Sequence, residues 1–159
     1  MVEFDDAKDC AVDEKITLLK WGNATITKVD KVNDITTTIY AKQDLEDKDF
    51  KKTKKFHWIS NVDKYNTKLV LKEYDHIVTV EKMKDDMKIE DVANKNSEFE
   101  TMAIGEIELR TLKKGDIVQL ERRGYFICDA PYDQTTGSII LIFIPDGKTK
   151  SMSNLTTKV

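Results

Sequence analysis

The sequence predicts an all-β protein, built as barrels or a sandwich. Two observations point there. Short stretches rich in β-branched and aromatic residues recur along the 159 residues, each bounded by turn-forming residues. Helical periodicity is weak throughout: only residues 85–94 could make two to three turns, and there Met87, Ile89 and Val92 fall only loosely on one face.

The first strands are expected around Ile16 and Leu18, then over 25–32 and 35–41. Asn33-Asp34 between the latter two suits a tight hairpin turn, because both residues tolerate left-handed backbone. A long loop follows, holding the basic run Lys51, Lys52, Lys54, Lys55 and ending near Trp58-Ile59-Ser60. Further strands are expected at Leu69-Val70-Leu71 and over 76–80. The closing region supplies three more, over 116–121, 124–129 and 138–144, punctuated by Gly115, Gly124, Gly137 and Gly147. The middle third, residues 58–97, is richer in charge and in helix-compatible residues than either end. This texture suggests a second barrel inserted in the first. The tail over 151–159 is polar and small and is expected to be flexible.

Composition narrows the function classes. Hydrophobic residues make up 40% and charged residues 35%, as in a globule with a wet surface. No apolar run approaches the roughly 20 residues that span a bilayer, so no membrane partner is expected. The acidic start Met1-Val2-Glu3-Phe4-Asp5-Asp6 lacks a signal peptide's basic and apolar regions. Cys10 and Cys128 are the only cysteines and are far apart. That argues against a disulfide framework and for a reducing, cytoplasmic setting. In that setting Asn23-Ala24-Thr25 and Asn154-Leu155-Thr156 are chance matches to the glycosylation pattern.

Enzyme chemistry is not visible. The chain has no phosphate-cradling glycine loop and no Gly-x-Ser-x-Gly elbow. His57 and His76, the only histidines, have no Cys or His at metal-ligand spacing. His57 beside Trp58 reads as a packed histidine. No catalytic residue, cofactor or metal is therefore expected in this chain.

The chemistry that is visible is recognition. Net charge is −3, yet basic residues gather at Lys51, Lys52, Lys54 and Lys55 and again at Lys113, Lys114, Arg122 and Arg123. Gln119, Arg122 and Arg123 crowd the joint between the strands over 116–121 and 124–129. Glutamine offers a paired donor and acceptor, and arginine a planar fork of donors. Those types suit an unpaired base edge and its phosphate. Taken without any resemblance, Arg122 and Arg123 can equally be ordinary turn residues, and each lysine run a solvated face.

Five segments in order add a resemblance. They are Asp13-Glu14-Lys15-Ile16-Thr17-Leu18-Leu19-Lys20-Trp21-Gly22-Asn23-Ala24, Lys51-Lys52-Thr53-Lys54-Lys55-Phe56-His57-Trp58, Tyr74-Asp75-His76, the stretch over 113–132, and Leu141-Ile142-Phe143-Ile144-Pro145-Asp146-Gly147-Lys148. Together they resemble the carboxy-terminal anticodon-binding region of eukaryotic-type (cytosolic) glutamyl-tRNA synthetases, class I aminoacyl-tRNA synthetases, over roughly residues 4–150. The resemblance implies a proximal barrel from residues 4–57 and 98–150, with a distal barrel over 58–97 inserted in it. It also implies that the chain is a fragment. ATP, with Mg, would be used by a catalytic domain that is not in this chain.

The implied partner is the anticodon stem-loop of tRNA(Glu), with other synthetases or scaffold proteins as further partners, and no DNA. Gln119 and Arg122 would approach the middle anticodon base, a uridine, and His76 the third, a cytidine. Asn23 is a weaker base candidate, and Trp21 reads as a core residue. Lys51, Lys52, Lys54, Lys55, Lys72, Lys113, Lys114 and Arg123 would meet phosphates and backbone. The alternatives are the related region of a glutaminyl-tRNA synthetase, whose closing strand fits less well, and a β-barrel protein-interaction module. A third, a generic oligonucleotide-binding barrel, would need exposed aromatics, whereas Tyr125, Phe126 and Phe143 fall in strands that look internal.

Overall fold

The computed structural model describes residues 1–80, 82 and 84–146. The chain is all-β, as expected, and divides into two compact units, Met1–Val62 and Asp63–Val159. The expected flexible tail over 151–159 lies outside the described residues, as do residues 147–150 of the expected proximal barrel.

Unit 1 is a four-stranded sheet of β1 (Lys15–Leu18), β2 (Gly22–Val32), β3 (Ile35–Asp44) and β4 (Lys54–Phe56), in the order β3-β2-β1-β4. A single helical turn, α1 (Phe4–Ala7), precedes it. Asn33 (φ 49°) and Asp34 (φ 63°) close the β2–β3 hairpin, both in left-handed backbone. A turn of that kind matches the right-handed twist of the flanking strands. Alternation then sends Ala24 and Ile26 to one face, where they pack with Cys10, Ile16 and Phe56. β4 lies parallel to β1, pairing Ile16 with Lys54 and Leu18 with Phe56. The second half of the basic run is therefore strand, not loop.

Unit 2 is a five-stranded sheet of β5 (Asn66–Tyr74), β6 (Glu98–Glu106), β7 (Ile117–Leu120), β8 (Gly124–Asp133) and β9 (Ser138–Ile144), in the order β6-β5-β9-β8-β7. Leu69 and Leu71 of β5, Phe126 and Cys128 of β8, and Ile139 and Leu141 of β9 form its core. All six are at most 2% exposed. Phe126 meets Phe143 edge-on at 5.4 Å. Arg110 ties the 3-10 turn Ile107–Thr111 to β5. Its Nε donates to the Thr67 hydroxyl at 3.0 Å, and its guanidinium lies 4.7 Å from the Tyr132 ring centre.

β5, from the segment expected in the distal barrel, pairs in parallel with β9 and antiparallel with β6, strands of the segment expected in the proximal one. Two expectations are corrected. The helix over 85–94 shrinks to one turn, α2 (Ile89–Val92), because only Val92 is buried there and Ile89 is 55% exposed. Without an apolar stripe, a short helix has little to hold it. The strand over 76–80 reduces to a single bridge between Val78 and Ala93. The His76 N–H donates to the Asp75 carboxylate at 2.7 Å, and this local bond competes with a ladder.

Both thiols are buried and free. Burial pushes each above the ordinary cysteine range, so they pack as small apolar groups. Among the described residues no helix is long and apolar enough to cross a membrane.

Candidate nucleic-acid interface

In unit 2 the candidate residues gather on the β7–β8 hairpin. Its first turn is built by Gly115 (φ 91°), whose N–H donates to the Cys128 carbonyl at 2.8 Å. Asp116 accepts from the Lys113 N–H at 2.8 Å. This turn presents Lys113 and Lys114 to solvent; Lys114 lies 3.4 Å from Asp129, an exposed pair that contributes little. Val118 and Leu120 of β7 then pack on the core. Ile117 and Gln119 point the other way and are exposed.

The second turn is the unusual one. The Arg123 N–H donates to the Leu120 carbonyl at 3.0 Å, closing a four-residue turn. Arg122 sits in it at φ 65°, left-handed backbone that glycine adopts at no steric cost and arginine does not. Gly124 follows at φ 109°, and a Cβ there would come 2.8 Å from the Phe143 ring. Gly124→Ala should therefore destabilise the chain by about 1–3 kcal/mol, measured by urea denaturation. Unchanged stability would mean that Phe143 and the turn relax together. The outcome of the two turns is that Gln119, Arg122 and Arg123 are all exposed at one end of β7, as the sequence implied. Lys113 and Lys114 lie at the other end, about 13 Å away.

His76 stands on the loop after β5. Its ring is 76% exposed, and Nδ1 lies 3.0 Å from the carboxylate of Asp75, which is 2% exposed. The Asn94 amide donates to the His76 carbonyl at 2.8 Å. The ring is thus held at its base and open at Nε2. Lys72, in contrast, is already engaged: Glu98 lies 2.6 Å and Glu100 3.8 Å from its ammonium. Its hydrogen bond to Glu98 raises its pKa above the ordinary lysine value. A phosphate would have to compete with two carboxylates.

In unit 1 one candidate changes role. Asn23 is 2% exposed and cannot reach a base. It accepts from the Thr17 hydroxyl at 2.6 Å, and its amide donates to the carbonyls of Asp47 and Asp49 at 3.2 Å each. Thr17 also meets the Thr53 hydroxyl. Asn23 is therefore the internal anchor of the loop that carries Lys51 and Lys52, both exposed. Lys55 bends back to the carbonyls of Phe50 and Thr53, and Lys54 lies 5.7 Å from the Phe56 ring.

Two aromatic residues also differ from expectation. Trp21, expected in the core, is 51% exposed and lies 5.1 Å from Trp58, whose Nε1 donates to the Leu19 carbonyl. Tyr125, expected to be internal, is 54% exposed. Strand parity could have found it: Phe126 is the core residue, so its neighbour must face outward. A groove of about 590 Å³ in unit 1 is lined by residues such as Phe4, Ile16, Leu18, Phe56 and Trp58, with no charged side chain. Among the described residues no three His, Cys, Asp or Glu side chains are placed to hold a metal.

The description "tRNA synthetases class I (E and Q), anti-codon binding domain" names a family model that matches residues 55–129. The match spans β4 to the first half of β8 and so includes the hairpin just described. Residues 55–129 of the chain belong to this anticodon-binding domain family. It is 40% identical to the bifunctional glutamate/proline–tRNA ligase of Mus musculus over 159 residues, covering 95% of this chain and 10% of that protein. It is 41% identical to the cytoplasmic glutamate–tRNA ligase of Saccharomyces cerevisiae over 151 residues, covering 93% and 20%. The corresponding Arabidopsis thaliana protein is 36% identical over 148 residues, covering 92% and 20%. The chain thus spans a tenth to a fifth of the length of these relatives. The exposed Gln119–Arg122–Arg123 group lies within the stretch that the family model matches.

Proposed function

We propose that this chain reads the anticodon loop of a glutamate-accepting tRNA, as the anticodon-binding part of a cytoplasmic glutamate–tRNA ligase. The observation that supports this best is the exposed group Gln119, Arg122 and Arg123 at one end of β7, within the segment matched by an anticodon-binding family. A uridine edge presents two carbonyl acceptors and one N–H donor. Arg122 supplies donors, and the Gln119 amide supplies both kinds. His76, with Nδ1 held by Asp75, offers Nε2 to a cytidine amino group. In unit 1, Lys51 and Lys52 meet phosphates; in unit 2, Lys113, Lys114 and Arg123 do so. ATP, Mg and the ligation step are assigned to the rest of the parent enzyme, and no chemical step to this chain.

The test is fluorescence anisotropy of this chain with a labelled tRNA(Glu) anticodon stem-loop at two salt concentrations, beside a loop with the middle uridine replaced. Binding should weaken with salt, and base replacement should cost about 1–3 kcal/mol. Salt-sensitive binding that ignores the base would reduce the chain to a phosphate platform. A second reading, a protein-contact surface, draws on Ile117, Met102 and Ile104, which are 64%, 63% and 52% exposed on the outer side of unit 2's sheet. It predicts no base dependence.

A further inference from the structure

We infer that Tyr125 is the stacking platform for the base that Gln119 reads. This rests on the anticodon-reading function proposed above and adds a residue to it. In the β7–β8 ladder Gln119 and Tyr125 are direct partners. Directly opposed residues stand on the same face of a sheet, with Cβ atoms about 4.5–5.5 Å apart. That face is the outer one, because their neighbours Val118, Leu120 and Phe126 pack into the core. Tyr125 is 54% exposed, although the strand that carries it has Phe126 at 1% and Cys128 at 1%.

The surroundings favour a flat ligand with a polar edge. On its other side Tyr125 pairs with Ile144 of β9. The next row along the same face is Ile117, Ile127 and Ile142. The ring therefore stands beside an apolar row, and the amide directly opposite it, Gln119, comes from the adjacent strand. An unpaired base laid against the Tyr125 ring turns its edge toward Gln119, at the distance of one strand spacing. The basic turn with Arg122 and Arg123 follows at the end of the same strand, where the negative phosphates on either side of a splayed base would lie. An apolar face, one edge-reading amide and adjacent positive charge are the combination by which single-stranded bases are held on a sheet. A protein partner would use the aliphatic row but would leave the amide and the arginines without a reason to be together.

The experiment separates stacking from folding and from phosphate contact. The full chain and its Tyr125→Leu and Tyr125→Phe variants are titrated with the labelled stem-loop carrying either uridine or an abasic sugar at the middle position. Tyr125→Leu should lose about 10-fold in affinity for the uridine loop and nothing for the abasic loop. Tyr125→Phe, which keeps the ring, should stay within about 2-fold of the parent on both. An equal loss on the two loops would overturn the assignment, because the tyrosine would then act on the backbone or the fold. So would an unchanged affinity for the uridine loop. If the parent chain prefers uridine while Tyr125→Leu is unaltered, stacking fails and anticodon reading stands. If the parent chain does not bind the stem-loop at all, both fail.

Discussion

Arg122→Gly should leave the chain as stable as its parent while erasing most of its preference for the middle uridine. The two effects separate because Arg122 carries two properties that glycine splits. Its backbone is left-handed, at φ 65°. An L-residue gives up about 1–2 kcal/mol in that conformation, and glycine does not. Glycine's greater freedom in the unfolded chain returns about 0.5–1 kcal/mol of that gain. The net change in stability should fall within about 1 kcal/mol of zero, read by urea denaturation. The guanidinium, in contrast, is lost outright. Discrimination at the middle base should drop by about 1–3 kcal/mol, a factor of about 5 to 150, read by anisotropy with matched and substituted loops. Arg122→Lys makes the same point from the other side: it keeps the charge and loses the planar fork, so salt-dependent affinity should persist while base preference falls. A strained residue in a turn where glycine would fit better is itself a reason to look for a role there. Retained discrimination in both variants would remove Arg122 from the base-reading group.

Asn23→Ala should destabilise the chain by about 3 kcal/mol, for reasons unrelated to any base. Asn23 is 2% exposed and makes three hydrogen bonds, one from Thr17 and two to the carbonyls of Asp47 and Asp49. Truncation strands those partners in a part-buried setting, and each orphaned group costs about 1–3 kcal/mol. Amide hydrogen exchange should quicken over residues 45–53, the loop that the side chain holds. Asn23→Asp should also destabilise, since a carboxylate cannot donate to two carbonyls. Binding should fall only as far as the loop bearing Lys51 and Lys52 loses order. If instead Asn23→Ala left stability intact and weakened base-specific binding, Asn23 would regain the base-contact role that its burial denies it.

What could be read from residues alone follows how far each interaction reaches along the chain. The β2–β3 hairpin was legible because Asn33-Asp34 both tolerate φ > 0 and flank β-branched runs. β9 was legible to the residue, as an apolar run after Gly137. β6 was missed: Glu98, Glu100 and Glu106 with Ala103 and Gly105 give low strand propensity, and only pairing with β5 makes the segment a strand. The site divides in the same way. The resemblance and the residue types named Gln119, Arg122 and Arg123 together, and they are exposed together. Asn23 was misread because the same amide can face a base or two carbonyls, and its sequence neighbours do not say which. Tyr125 was misread because a strand's inner face is defined only once its core partners are known.

The sequence by itself determined the all-β class, the positions of the tight turns and the choice of polar residues at the β7–β8 joint. Each is set by backbone preference or side-chain chemistry within a few residues. Only the tertiary structure decided that β5 and β9 lie side by side, Lys68 against Ser138, that Asn23 is an internal anchor, and that Tyr125 shares a face with Gln119. Those outcomes depend on contacts between residues far apart in the chain. Which side of a strand is buried is settled by what packs on it, and local sequence carries the alternation without carrying its sign.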